Sequence, residues 1–474
     1  MARTITIDPV TKVEGHGKVT IQLDDNGNVT ESHFYIQEFR GFEKFCEGRM
    51  AWEMPVITTR ICGICPVSHH LASAKACDDL FGVDIPPTAK MLRELMHMCQ
   101  MIHSHALHFF YLAAPDLLFG LDAPPEQRNV IGVLNANPDL GKKAIRLRQI
   151  GQSSIEKVGG RSIHPVSAIP GGMSKALSHE SRFIMIKEMA EALELAKLAL
   201  GAVKGVNEKY RDLIPTFASF KTKYMGLVND GALELYDGTL RLIDENGGII
   251  EDFDPKDYLN HIAEHTEDWT YLKFPYHKKS GWPNGVYRVA PLGRLNIAER
   301  ISTPLANAEL KEFKQLNGGK PVEDSLYYHY ARIIELLYAI EWAQELLQND
   351  DIVCKDVRVP VARQAGEGVG VIEAPRGTLI HHYKADDLGK LEKVNIIVST
   401  AHNYSSMDRA VNEVAKMVLK NNRVEESLLN QVEMAIRCYD PCLSCATHQM
   451  GKMPLEVQIV TSGGEIAKTV RRDG

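Results

Sequence analysis

Arg60-Ile61-Cys62-Gly63-Ile64-Cys65-Pro66-Val67-Ser68-His69 is answered near the other end of the chain by Asp440-Pro441-Cys442-Leu443-Ser444-Cys445-Ala446-Thr447-His448. Each stretch holds a C-x-x-C pair and a histidine. That spacing lets both sulfurs of a pair face one centre from a tight turn or from the first turn of a helix. One such pair is a weak signal; two, beside His69 and His448, are stronger. Zinc ribbons and fingers place their pairs about 12–20 residues apart, whereas here the gap is 442 − 65 = 377 residues. A structural zinc ion, a four-cysteine iron–sulfur cluster and a nickel or low-valent iron site are all compatible with soft thiolate ligands. A thioredoxin-like redox pair fits poorly, because no βαβ pattern surrounds either motif.

Outward from these motifs the chain reads as mostly helical. Helical patterns run over 88–114, with Pro115 as a stop or kink, and over 181–210. Another over 325–347 sets Leu326, Tyr330, Ile333, Leu337 and Ile340 on one face. Further helices are expected at 407–419 and 427–438. Strands are expected at 18–23 and 29–36 around an Asp24–Asn28 turn, and a hairpin over 239–253 turns at Glu245-Asn246-Gly247-Gly248. Residues 369–398 hold two strands around Asp386-Asp387-Leu388-Gly389. The fold class is α+β, predominantly helical, with a long-helix core and small β-hairpins at its periphery. No boundary, repeat or low-complexity segment divides the chain, so 1–474 is expected to be one domain.

Hydrophobic residues make up 44% of the 474, enough for a sizeable core, and 24% are charged. The net charge of −7, without a basic run, argues against nucleic acid as a partner. The first residues carry no apolar signal region and no apolar run is long enough to span a bilayer, so a cytoplasmic setting is expected. Nine cysteines, an odd number, do not form a disulfide framework. Cys46, Cys77, Cys99, Cys354 and Cys438 lack a C-x-x-C partner and read as buried thiols. His97, His103, His105 and His108 lie on one long helix and read as packed or hydrogen-bonded groups rather than ligands.

The two cysteine motifs resemble the N- and C-terminal signatures of nickel–iron hydrogenase large subunits. The likeness continues through Asp8-Pro9-Val10-Thr11-Lys12-Val13-Glu14-Gly15-His16, Arg40-Gly41-Phe42-Glu43 and Glu373-Ala374-Pro375-Arg376-Gly377. It thus covers nearly the whole chain. The resemblance implies an oxidoreductase that splits or forms dihydrogen at a nickel–iron centre, the iron carrying one carbon monoxide and two cyanides. It implies Cys62 and Cys442 as terminal nickel ligands and Cys65 and Cys445 as bridges to iron. Glu14 becomes the proton exit; without the likeness it reads as a surface residue or salt-bridge partner. Arg376 is implied over the open side of the metals, paired with Asp440, and Thr400 as a hydroxyl bonded to a cyanide. The pattern departs beside it, with Ser399 where many relatives have proline, and again at Ser104, where many have an acid. Glu43, His448 and the carbonyl of Ile396 are implied magnesium ligands; the plain reading of Glu43 is an ion pair with Arg40 or Lys44.

Gly120-Leu121-Asp122-Ala123-Pro124-Pro125, Gln127-Arg128-Asn129-Val130 and Ala290-Pro291-Leu292-Gly293-Arg294 look most like the soluble, bidirectional, NAD(P)-linked group. Heterodisulfide-reductase-linked and deazaflavin-reducing enzymes share much of this. The chain has no G-x-G-x-x-G after a strand and no cysteine-rich cluster motif. The resemblance therefore implies iron–sulfur clusters on a small subunit, and a flavin with NAD(P) on diaphorase-type subunits. It also implies a maturation endopeptidase that removes a tail, here 449–474, which reads as two short strands. The related metal-free quinone-binding subunit of respiratory complex I is opposed by the presence of all four cysteines.

Overall fold

The Tyr328–Gln348 helix is apolar around almost its whole circumference and is buried accordingly. It lies between Pro87–Leu107 and His179–Lys209, and Pro138–Gly159 packs on the far side of Pro87–Leu107. The computed structural model describes residues 3–447 and the strands Leu455–Val460 and Ile466–Arg472. His179–Lys209 buries Met185, Met189, Ala192, Ala196, Ala199, Val203 and Val206, an alternating four–three spacing that keeps one narrow stripe on the core. Ser178 caps its start by accepting from the Ser181 N–H.

Three antiparallel hairpins repeat one turn device. Asp24 Oδ1 accepts the N–H groups of Asn26 and Asn28. Asp244 does the same for Asn246 and Gly248, and Asp386 for Leu388 and Lys390. A side-chain carboxylate thus replaces the strand partner that each turn lacks. The first hairpin joins Gly17–Leu23 to Val29–Ile36, with Arg3–Ile7 as a third strand. The second joins Thr239–Ile243 to Ile249–Phe253 in a five-stranded sheet.

The third belongs to the sheet that bears on the cysteines. It contains Gly366–Ala374, Gly377–Ala385 and Leu391–Ile397, one strand more than the sequence reading expected. The extra strand alternates glycine at 366, 368 and 370, which weakens its strand signal. Those glycines face the helix Pro66–Leu80: a Cβ on Gly370 would stand 2.0 Å from Ala72 O, and one on Gly368 2.3 Å from Ala76 O. Bare backbone thus lets helix and strand touch, which fixes the helix whose first turn carries Cys65.

The fold class is as read, and other boundaries differ. The helix expected at 407–419 begins at Ser399 and ends at Val418. Its first turn is polar and looks like a loop in sequence, but Ser399 Oγ donates to Gly377 O and Asn403 Oδ1 accepts the Val289 N–H. Pro115 does not stop its helix. Pro87–Leu107 passes into a π-helical stretch, His108–Ala113, and then into Ala114–Phe119, with Pro115 in the first turn of that last segment. The widened turn removes the need for the missing proline N–H. Pro138–Gly159, with Asn137 as its cap, was not read from sequence.

Candidate metal centre

Cys65 caps the N-terminus of Pro66–Leu80, and Cys442 caps the short helix Leu443–Ala446. Two helix starts thus point their sulfurs at one another, and the Sγ atoms of Cys62, Cys65, Cys442 and Cys445 all lie within 4.8 Å. Across the motifs, Cys62 meets Cys442 at 3.2 Å and Cys65 meets Cys445 at 3.5 Å; Cys442 and Cys445 are 2.8 Å apart. All four are buried. Cys62 Sγ accepts the N–H groups of Ile64 and Cys65 at 3.2 and 3.3 Å. Hydrogen bonds from the other three thiols pull its pKa well below the ordinary thiol value, while burial pushes those of Cys442 and Cys445 well up. One shared negative charge among four sulfurs is the metal-free state, and a cation would release the remaining protons.

Glu14 reaches the cluster from the N-terminal segment. Its Oε2 lies 3.0 Å from Cys442 Sγ and accepts the Ser444 N–H at 3.0 Å, and its carbonyl accepts the Leu443 N–H at 2.9 Å. On the opposite side Arg376 Nε donates to Asp440 O at 2.6 Å and Nη2 to Asp440 Oδ1 at 3.0 Å. Burial opposes the Arg376 charge, but Asp440 and the thiols outweigh it and hold its pKa well above the ordinary value. Asp440 takes a left-handed φ of 52°, a strained conformation for a residue with a Cβ. Thr400 Oγ1 accepts the Cys442 N–H at 3.0 Å.

A cavity of about 260 Å³ lies against Cys65, Cys442 and Cys445, lined also by Ala374, Pro375, Arg376, Leu379, Val398 and Thr400. Arg376 Nη1 and Asp440 Oδ2 are buried there without a hydrogen-bond partner among the described residues. Four soft thiols, an unsatisfied guanidinium N–H and apolar walls suit a thiolate-bound metal whose other ligands are small and anionic.

Away from the thiols, Glu43 and Ile396 also meet, the carboxylate accepting the Ile396 N–H at 2.6 Å. Burial pushes Glu43 up to about 8. His448 lies outside the described residues. The plain alternative partners of Glu43 are engaged elsewhere: Lys44 with Glu47, and Arg40 with Thr447 Oγ1 and the carbonyls of Ile61 and Ser444. Arg40 therefore ties the two cysteine motifs together, a role that its own motif did not disclose. Arg294 was missed as well. It pairs bidentately with Glu335 at 2.6 and 2.7 Å and donates to Glu373 and to the carbonyls of Ala374 and Pro375, so it clamps the turn that presents Arg376.

Among the described residues, the four cysteines are the one group arranged to hold a metal ion. His97 instead bonds Glu373 O, His105 bonds Glu335 and His108 bonds Arg437 O. Of the five remaining cysteines Cys354 is exposed, against expectation. It follows the short turn of helix Asp350–Val353, where an Asn-Asp-Asp run keeps the backbone at the surface.

The family model described as nickel-dependent hydrogenase matches residues 40–125 and 236–448, and a HoxL-like model matches residues 4–39. The chain belongs to the nickel-dependent hydrogenase family. It is a large subunit of a nickel–iron hydrogenase, an oxidoreductase, with its four cysteines positioned for metal binding. It is 46% identical to a subunit of the vhc F420-non-reducing hydrogenase of Methanococcus voltae, over 98% of this chain and 99% of that one. It is 43% identical to the NAD-reducing hydrogenase HoxS subunit beta of Cupriavidus necator, over 98% and 99%. The crystal structure of an NAD+-reducing NiFe hydrogenase in its H2-reduced state superposes with a TM-score of 0.92 at 48% identity, covering 94% of this chain and 99% of that one. No helix among the described residues of this hydrogenase large subunit is long and apolar enough to cross a membrane.

Proposed function

We propose that this hydrogenase chain catalyses the reversible heterolytic cleavage of dihydrogen to protons and electrons, with Cys62, Cys65, Cys442 and Cys445 holding a nickel–iron pair. Cys62 and Cys442 bind nickel alone; Cys65 and Cys445 are shared with an iron that carries one carbon monoxide and two cyanides. The cross-motif approaches of Cys62 to Cys442 and Cys65 to Cys445 support that division. When bound, the metals supply the Lewis acidity that polarises dihydrogen and the orbitals that take its electrons.

The chain's own groups do the rest. Cys442 Sγ is within proton-transfer reach of Glu14 Oε2, and Glu14 is partly exposed, so it can pass the proton outward. Arg376, fixed by Asp440, keeps one N–H free toward the cavity and excludes water from it. Thr400, whose oxygen already accepts from Cys442 N–H, retains its own hydrogen to donate to a cyanide. Glu43, the carbonyl of Ile396 and His448 hold a magnesium ion. The burial that raises Glu43 in the absence of a cation supports this, since a divalent ion would hold the carboxylate ionised.

Electrons leave through iron–sulfur clusters of a small subunit to a flavin and NAD(P) module, in the cytoplasm. The NAD+-reducing structural relative supports that route. The 46% identity to a chain of an F420-non-reducing hydrogenase favours a second reading, a heterodisulfide-reductase-linked complex. Mass spectrometry of the subunits that co-purify separates the two. A maturation endopeptidase removes 449–474 once nickel is in place.

The observation that carries the proposal is the convergence of four buried thiols with the Glu14 carboxylate. Its test is Cys62→Ser and Cys445→Ser: each is expected to abolish dihydrogen oxidation and to lower bound nickel, because a hard hydroxyl replaces a soft sulfur. Wild-type turnover with full nickel in either variant contradicts it.

A further inference from the structure

Behind Cys445 runs a line of buried hydrogen bonds that the proton exit at Glu14 does not use. His69 Nε2 lies 3.4 Å from Cys445 Sγ, and His69 Nδ1 lies 3.1 Å from His381 Nε2. His381 Nδ1 meets the Tyr383 hydroxyl, which lies 3.0 Å from Ser73 Oγ. The line crosses twice between two elements. His69 and Ser73 are one turn apart on Pro66–Leu80, and His381 and Tyr383 share a face of Gly377–Ala385. All four side chains are buried, so water does not complete their bonds. Both ring nitrogens of His69 and of His381 are engaged, whereas His97, His105 and His108 each leave Nδ1 without a partner.

We propose that Ser73, Tyr383 and His381 are positioning residues that hold His69 with its Nε2–H aimed at the Cys445 sulfur, and so set the electron density of that ligand. The inference rests on the proposed metal ligation of Cys445. A metal-bound thiolate only accepts, so His69 Nε2 must carry the hydrogen. A neutral His69 then has a bare Nδ1, which accepts from His381 Nε2–H. His381 Nδ1 is bare in turn and accepts the Tyr383 hydroxyl, which takes its own hydrogen bond from Ser73. Each acceptor need is met by the next donor, and one polarity runs from Ser73 to the sulfur. Tyr383 suits this because burial holds its hydroxyl far above the ordinary pKa, so it stays a neutral donor. Partners behind a metal ligand commonly fix its orientation and basicity in this way.

Nitrogen-15 spectra of histidine-labelled holoenzyme test the polarity without any substitution of the chain. Signals are assigned by their loss in His69→Gln and His381→Gln. His69 and His381 are expected to be neutral and both protonated on Nε2. A hydrogen on Nδ1 of either ring, or a doubly protonated ring, overturns the proposal. This readout needs only a metal-bound Cys445, so it stands apart from whether the metals are nickel and iron. The tuning role is read by infrared on Tyr383→Phe, which keeps the ring and removes the donor. With the hydrogen bond to sulfur weakened, the ligand donates more strongly and the carbon monoxide band moves to lower wavenumber. His69→Gln moves it further. A band that stays at the wild-type position in both variants overturns the tuning role.

Discussion

The Glu14 carboxylate and the Cys442 sulfur lie 3.0 Å apart although 428 residues separate them in sequence. The contact is held from both ends. The Glu14 carbonyl takes the Leu443 N–H, and the preceding loop is pinned where Thr11 N donates to Glu433 at 2.8 Å and Arg437 Nε donates to Thr11 O at 3.1 Å. Glu14→Gln preserves size and the acceptor for Ser444 N–H but cannot take and release a proton. Turnover is expected to fall by about 100-fold or more, the scale of a lost acid–base group. The infrared bands of the metal centre should stay near wild type. Turnover close to wild type would place the proton exit elsewhere.

A second prediction concerns pH and a carboxyl remote from the thiols. Burial, reinforced by the neighbouring Glu234, pushes Glu94 up to about 7 although Lys90 stands 3.9 Å away. The folded state holds this proton more tightly than the unfolded chain does. Glu94 therefore contributes stability that is fully present below the unfolded carboxylate pKa and is lost as pH rises through 7. Urea unfolding of wild type and Glu94→Gln at low and high pH isolates the effect. The wild type should lose up to about 3 kcal/mol more than the variant as pH rises from 4.5 to 8. Parallel pH profiles would show that Glu94 ionises as readily when folded.

The third prediction is that active enzyme ends at His448. The strands Leu455–Val460 and Ile466–Arg472 pair antiparallel with each other, as expected for residues 449–474 from sequence. The plain alternative is a terminal hairpin that completes the fold. Cys442 and Cys445 must stay accessible while metal is loaded, and loss of the tail would let His448 close on magnesium. Intact mass decides it: a chain shorter by 26 residues is expected, and full activity with Gly474 attached rules cleavage out as a requirement.

Much of the site was legible in the sequence, because its chemistry is carried by residue types with few other uses in such spacing. The paired cysteines, Glu14, Arg376 with Asp440, and Glu43 with Ile396 all meet as the motifs implied. What was not legible is the support behind them. Arg294, His381 and Tyr383 act through contacts between elements distant in the chain, and each alone reads as an ordinary polar residue. The Gly366–Ala374 strand and the polar first turn at Ser399 were obscured for a related reason. Close backbone approach selects glycine, and buried polar partners select serine and asparagine, so tertiary packing there wrote residues that local patterns assign to loops.

The most direct measurement is infrared spectroscopy of the purified enzyme together with its metal content. The account predicts one carbon monoxide band, two cyanide bands, and nickel and iron near one each per chain, lost together in Cys62→Ser. Zinc alone, or no bands and no nickel in a chain that retains hydrogenase activity, would contradict it.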